Sequence, residues 1–486
     1  MLFNSIGFLL FFSIVIPLYF FIPYKYRWIL LLVSSYFFYM AWKPQFIILI
    51  LITTTVSYLA SILIEKYDRK AIKKLLLVLS LTVNLGLLIY FKYFNLFIES
   101  LNEIAGTNFN ILKIILPMGI SFYTFQTISY TIDVYWGKLK AEKHFGYFAL
   151  YVTYFPQLVA GPIERADRLL PQLKQKHDFD YTRTVDGLQR MAWGFFKKIV
   201  IADNIAILVN KVFSAPANYN GFVLLIATVL FAIQIYTDFS GYCDIAIGAS
   251  NIMGIDLMEN FKRPYMAGSL KDFWKRWHIS LSTWFRDYVY KPLGGSRISL
   301  ARTYVNVMAV FLISGLWHGA SWHFVIWGGI HAVFQLLENV LAPFSNRVWR
   351  ALKLEGSKVQ SFFGWLVTMI IVMCAWIFFR ANNAEEAVYI LKTILHDCTT
   401  WNFPRELLSS LTMIRREILL NVRFCVIGCS VLMLIVNDIV EEYRQTNWFG
   451  IFEHARCARW LMRYIVVFSI LLFGAFGQVE FIYFQF

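Results

Sequence analysis

The chain has 486 residues, of which 58% are hydrophobic, 18% aromatic and only 15% charged, with mean hydropathy +0.57 and a formal net charge of +15. One water-soluble core cannot bury that much apolar surface, so the composition excludes a soluble globular enzyme and indicates a multi-pass membrane protein. The positive charge is spread over loops without a known nucleic-acid-binding module, so membrane lipid is the expected partner and nucleic acid is excluded.

The uncharged segment Met1 to Ile22 runs on into more apolar sequence without a small-residue cleavage site, and is read as a first span rather than a signal peptide. About 20 apolar residues cross a bilayer core. On that ruler clear spans lie near 6–22, 28–41, 46–64, 75–98, 221–237, 361–379, 419–437 and 461–478. Less uniform candidates lie near 111–136, 146–163, 192–210, 303–317 and 322–340. Several of these contain Pro, Gly or polar residues, as in LPMGISFYTFQTISYTID and YFPQLVAGPIER. Non-helical backbone at membrane depth survives only where protein or a wet cavity satisfies it, so 146–163 is predicted to be re-entrant. YTDFSGYCDIAIGASNIMG, 236–254, is expected to be a second such segment.

The stretch SLKDFWKRWHISLSTWFRDYVYKPLGGSR, 269–297, places Phe273, Trp274, Trp277, Leu281, Trp284, Phe285 and Tyr288 at three- and four-residue steps among charged residues. That pattern predicts a helix lying in the cytoplasmic interface, either as a headgroup anchor or as part of a site. LWHGASWHFVIWGGIH, 316–331, then carries three histidines. On one helix His318 and His323 would stand ~140° apart and His323 and His331 ~80° apart, so they cannot share a metal. The HExxH pattern is missing too, and no metal is expected. His318 stands out because Gly319 and Ala320 leave its imidazole open to a small ligand beside the wall of Trp317, whereas His323 and His331 suit satisfied core positions. The six cysteines show no CxxC spacing, and neither a disulfide framework nor a zinc site is indicated.

Most of the 45 Lys and Arg fall in loops that alternate to one side when the N-terminus is placed outside and the two re-entrant segments are kept. That arrangement predicts a cytoplasmic-membrane protein with both termini outside. It places His278 near the cytoplasmic face and His318 deeper toward the exterior.

FPQLVAGPIER (155–165), YTDFSGYCDIAIG (236–248), NFKRPY (260–265), FWKRWHISLSTWFRDYVYKPLGG (273–295) and SGLWHGASWHFVIWGGIHA (314–332) together resemble the membrane-bound O-acyltransferase family, in its bacterial branch of alginate O-acetylases and teichoic-acid D-alanyl transfer proteins. The resemblance spans nearly the whole chain. It implies an all-α integral membrane fold, a ring of about 11–13 tilted transmembrane and re-entrant helices around a central tunnel, formed by residues 1–486 as a single domain. Within it, 269–297 would be the interfacial helix, 303–340 the catalytic helix pair and 479–486 an extracytoplasmic aromatic tail.

The resemblance maps the family's near-invariant histidine onto His318 and its second characteristic polar position onto His278. It implies no bound cofactor; acyl-CoA, acetyl-CoA in the expected case, serves as donor substrate. Transfer from a thioester to a hydroxyl needs the hydroxyl proton removed during attack, a task that suits a neutral imidazole. His318 is therefore expected to be the base, with Trp317, Gly319 and Trp322 as tunnel wall, and His278 to support the donor or orient the site. Lys262, Arg263, Lys275 and Arg276 could meet the donor's phosphates, although the positive-inside bias alone would also produce them. Asp133, Glu164, Arg165, Asp238 and Asp244 are expected to hold irregular backbone through buried polar pairs. FIYFQF, 481–486, is either an aromatic belt or, by analogy with small partner peptides of D-alanylation systems, an acyl carrier in which Tyr483 holds the group in transit. The acceptor would be an extracytoplasmic polysaccharide, reached through an exported esterase-like (SGNH) acetyltransferase. The competing readings are a lipid or protein O-acyltransferase of the same family and a transporter or flippase without chemistry.

Overall fold

The computed structural model describes residues 1–399, 403–415, 421–444, 456–476 and 481–482. Among these residues every regular element is a helix, the solution open to a chain that must satisfy its backbone internally in lipid without closing a barrel. Among the described residues seven helices are long and apolar enough to cross a membrane: Pro44–Lys66, Lys70–Ala105, Gly221–Ile252, Leu300–His318, Trp322–Ala351, Lys358–Arg380 and Val422–Arg444. Two shorter apolar helices, Ile6–Phe21 and Trp460–Phe473, accompany them. The protein is an all-α integral membrane protein, as its composition predicts.

The chain divides into two compact units, Met1–Gly194 with Tyr242–Glu259, and Phe195–Gly241 with Asn260–Phe486. In the first unit, hydroxyl and amide side chains lace three helices together. Asn84 donates to Ser57 Oγ at 3.1 Å and accepts from Thr127 Oγ1 at 3.0 Å. Such interhelical hydrogen bonds replace the hydrophobic drive that is lost where the surroundings are lipid.

The segment 146–163 behaves as its Pro and Gly content predicts. A short helix, Phe145–Thr153, gives way to non-helical backbone over 154–165 that is buried inside protein. The Phe155 amide donates to Ser35 Oγ at 3.0 Å, and the Tyr151 carbonyl accepts from Gln126 at 2.7 Å and Gln157 at 2.8 Å. Gly119, at φ +74°, lets this backbone close in, since a Cβ there would lie 2.8 Å from the Leu158 carbonyl oxygen.

Two expectations are corrected. YTDFSGYCDIAIGASNIMG is not a separate re-entrant segment, because it lies almost wholly within one continuous helix of 32 residues, Gly221–Ile252. Several of its polar groups find partners without breaking the helix: Thr237 Oγ1 donates to the Ile233 carbonyl at 2.7 Å, Asp238 meets Lys198 at 2.7 Å, and Asp244 meets Arg190 at 3.0 Å.

The stretch 269–297 is likewise not one interfacial helix. It forms two short helices, Leu270–Arg276 and Ile279–Phe285, broken at Trp277 and His278, followed by a wide helical turn Arg286–Tyr290. Its aromatic stripe packs into protein rather than headgroups, with Phe273 and Trp277 both 0% exposed. The break is fixed from outside, because the Ile279 amide donates to the Asn260 carbonyl at 3.0 Å instead of continuing the first helix.

Leu300–His318 and Trp322–Ala351 form a helical hairpin joined by Gly319, Ala320 and Ser321. Glycines bring the two helices together. A Cβ on Gly328 would lie 2.2 Å from the Phe311 carbonyl oxygen, and one on Gly315 would lie 2.2 Å from that of Phe324. This close seam, characteristic of small residues at membrane helix interfaces, fixes the last turn of the first helix, where His318 sits.

Candidate active site

His318 closes the helix Leu300–His318 and is 3% exposed. Aromatic rings box it in: its centroid lies 4.9 Å from Trp317, 4.9 Å from Trp327 and 5.4 Å from Phe379. Gly319 follows because nothing larger fits, since a Cβ there would fall 2.0 Å from the Phe324 ring. Trp322, expected in the same wall, is 56% exposed at the start of the next helix.

His278 reaches the same place from the break between the two short helices, at φ 44°, a conformation that side-chain-bearing residues rarely adopt. It is 0% exposed. Its ring stands 4.7 Å from Phe239, 5.9 Å from Trp317 and 6.4 Å from His318. The break at Trp277 and His278 turns the second imidazole toward the first, so that the pair meets within one site.

Asn260 completes this group and escaped the sequence reading. Its Oδ1 lies 3.2 Å from His278 Nδ1 and accepts from the Ser280 amide at 3.1 Å and the Ser280 hydroxyl at 2.9 Å. The signal was present in NFKRPY, which was read for its basic residues. Burial pushes the His278 imidazole down to about 3, so the ring is neutral at ordinary pH.

The other two histidines of 316–331 have structural partners. His323 Nδ1 lies 2.8 Å from Ser321 Oγ. His331 accepts from Trp274 Nε1 at 3.4 Å and stacks against Phe273 and Phe311. Among the described residues no group of three or more His, Cys, Asp or Glu could hold a metal ion.

The four basic residues near the site divide into two kinds. Arg263 and Arg276 are both held by Glu442, at 2.7 and 2.9 Å, and are further bound by Glu441 and Asp272 respectively. Lys262 and Lys275 are exposed. The carboxylates singled out in the sequence are paired: Asp133 with Lys138 at 3.4 Å, Glu164 with the Met258 amide, Asp238 with Lys198 and Asp244 with Arg190.

Tyr483 and the rest of the FIYFQF ending lie outside the described residues, except for Phe481 and Ile482. Those two are 2% and 1% exposed, not part of an exposed belt. The Ile482 amide donates to Asp238 Oδ2 at 2.9 Å, and the Phe481 ring lies 5.7 Å from Phe239, which in turn covers His278.

The family model for the membrane-bound O-acyltransferase family, MBOAT, matches residues 142–377, a range that contains both His278 and His318. The chain is similar to the probable alginate O-acetylase AlgI of Pseudomonas aeruginosa, with 40% identity over 398 residues covering 80% of this chain and 73% of that protein. It is 35% identical over 388 residues to the peptidoglycan O-acetyltransferase of Helicobacter pylori, covering 74% of this chain and 72% of that one. It is also 30% identical over 247 residues to the teichoic acid D-alanyltransferase of Bacillus subtilis, covering 47% of this chain and 60% of that one.

Proposed function

Because the chain belongs to the membrane-bound O-acyltransferase family, we propose that it carries an acyl group, acetyl in the expected case, from cytoplasmic acyl-CoA across the bacterial inner membrane for O-acetylation of an extracytoplasmic polysaccharide. The observation that carries the reading is the pairing of two buried imidazoles, His278 and His318, at 6.4 Å inside an aromatic box. The acceptor hydroxyl attacks the thioester carbonyl carbon, its proton passes to His318, the carbon–sulfur bond breaks, and the proton leaves with the sulfur as free CoA thiol. A positioned base of this kind contributes about 10²–10⁴-fold in rate. His278 lies alongside, where it supports the reacting thioester.

The exposed Lys262 and Lys275 take the donor's phosphates as point charges. Arg276, already bound to carboxylates, instead holds the helix Leu270–Arg276 to the helix that carries Glu441 and Glu442, and Arg263 holds the segment before it to the same helix. Tyr483 serves as the carrier: its phenol accepts the acyl group and presents an activated ester to an exported esterase-like transferase, the logic of covalent catalysis. The hydrogen bond that holds Ile482 to Asp238 supports this role, because it keeps the neighbouring Phe481 ring 5.7 Å from Phe239, which covers His278.

The test is acetyl-labelled acetyl-CoA supplied to the purified full chain with an aromatic alcohol as acceptor. Free CoA thiol and a labelled ester are the expected products. Intact thioester after incubation, with label moved across a vesicle membrane, would mark a transporter instead.

A further inference from the structure

We propose that Asn260 is a positioning residue of this site, whose side-chain oxygen selects the His278 tautomer that carries its proton on Nδ1 and leaves the lone pair on Nε2. The inference rests on the proposed chemistry for its consequence, and on hydrogen-bond geometry alone for its premise.

The side-chain amide of Asn has one accepting oxygen and one donating nitrogen, and which is which must be read from the partners. Here a backbone group decides. The Ser280 amide can only donate, and it points at the same Asn260 atom, 3.1 Å away, that faces His278 Nδ1 at 3.2 Å. That atom is therefore the oxygen. A neutral ring facing an oxygen at hydrogen-bond distance places its proton on the facing nitrogen, and the other nitrogen is then an acceptor. The Ser280 hydroxyl, at 2.9 Å from the same oxygen, closes the arrangement.

The same residue also holds the backbone that makes the contact possible. The main-chain carbonyl of Asn260 accepts the Ile279 amide at 3.0 Å, so residues 278–280 are gripped by both carbonyls of one asparagine. His278 sits between these grips at φ 44°, a strained conformation that persists only where its surroundings over-determine it. Asn260 is itself 1% exposed, which keeps water from competing for its oxygen.

The selected tautomer matters because the two tautomers do opposite things. With the proton on Nδ1, Nε2 can take a proton or accept a hydrogen bond from the reacting groups; with the proton on Nε2 the ring could only donate there. Phe239 and Trp317, whose rings lie 4.7 and 5.9 Å from His278, carry no charge, and the His318 ring lies 6.4 Å away. Asp238, next to Phe239 on its helix, is engaged by Lys198. A carboxylate placed at 260 would therefore add a new charge directly against the imidazole.

Two measurements on the purified full chain test the proposal. The first compares wild type with Asn260→Asp and Asn260→Ala, by ¹⁵N titration and by CoA release from acetyl-CoA respectively. In Asn260→Asp the new carboxylate favours the imidazolium, so the pH at which the His278 ring gains its second proton, followed by its ¹⁵N signals, should move upward by about one to two units. In Asn260→Ala the orienting partner is gone, and kcat should fall about 10–100-fold, the loss known for removing the orienting partner of a metal-bound histidine, with KM for acetyl-CoA within about twofold.

The second measurement is the ¹⁵N spectrum of histidine-labelled wild type, with the His278 signals assigned by their loss in His278→Ala. It should show a protonated Nδ1 and an unprotonated Nε2. An unshifted His278 ¹⁵N titration in Asn260→Asp, or a proton on Nε2 in the wild type, overturns the role of Asn260. Failure of the wild type itself to release CoA overturns the proposed function instead, and the spectrum still decides the tautomer.

Discussion

In the proposed site two imidazoles do the chemistry and one amide positions them, and the three were not equally visible in the sequence. His318 was legible through the small residues that follow it, but the space beside Gly319, expected to be open to a small ligand, is filled by the Phe324 ring. His278 was legible through its motif and not through physics, since a stripe of aromatics around a histidine equally describes an anchor. Asn260 was invisible because its role depends on a contact 18 residues away, made to a backbone conformation that no pattern announces. The lysines and arginines around the site separate in a way composition could not foresee. Replacing Lys262 and Lys275 together with alanine should raise KM for acetyl-CoA several-fold while leaving kcat within about twofold, and the effect should shrink as salt is added, because exposed charges are screened beyond about 10 Å at 0.1 M. Arg276→Ala should instead lower the amount of folded protein, because it strips Glu442 and Asp272 of a partner. Steady-state kinetics at two ionic strengths and size-exclusion yield separate the two outcomes.

At the scale of elements, the long apolar helices followed directly from hydropathy, and the broken segment after Phe145–Thr153 followed from its Pro and Gly content. The two misread segments failed for opposite reasons. In Gly221–Ile252 polar residues suggested a break, yet hydroxyls returning to their own helix and buried ion pairs satisfy several of them without one. In 269–297 the period suggested a single helix, yet an acceptor on Asn260 ends the first turn early. Periodicity records what a helix could bury and is silent about which backbone groups a distant residue will capture. The hairpin that positions His318 makes its own prediction. Gly328→Ala places a methyl within 2.2 Å of the Phe311 backbone oxygen, where no side chain can swing aside. Forcing atoms into such a seam costs about 1–3 kcal/mol, so the variant should unfold at lower temperature and lose activity together. Gly329→Ala, whose methyl would meet the Leu312 side chain at 3.7 Å, should do neither. Thermal unfolding in detergent with parallel CoA-release assays reads both.

At the scale of the whole molecule, the proposed task explains why a catalyst should be a membrane protein. Acetyl-CoA is large, charged and cytoplasmic, while the polymer is outside, so only the acyl group needs to cross. The Lys and Arg distribution, concentrated in loops assigned to one side, fits a donor that arrives from the cytoplasm. Tyr483→Phe is the sharp test of the carrier idea, since it keeps the ring and removes the reacting oxygen. Polymer acetylation in cells should be lost, while CoA release to an added small alcohol continues; undiminished polymer acetylation would end the carrier role. Because the acceptor polymer is recognised by the partner in this scheme, the acetylated product from intact cells is the readout that ties this chain to its pathway.

The central claim is that thioester cleavage occurs between His318 and His278, and rapid-quench measurement of the first turnover with labelled acetyl-CoA tests it most directly. His318→Ala that elutes and unfolds like the wild type should release CoA about 10²–10⁴-fold more slowly, and His278→Ala should also be slowed. A folded His318→Ala protein that completes its first turnover at the wild-type rate would contradict the account.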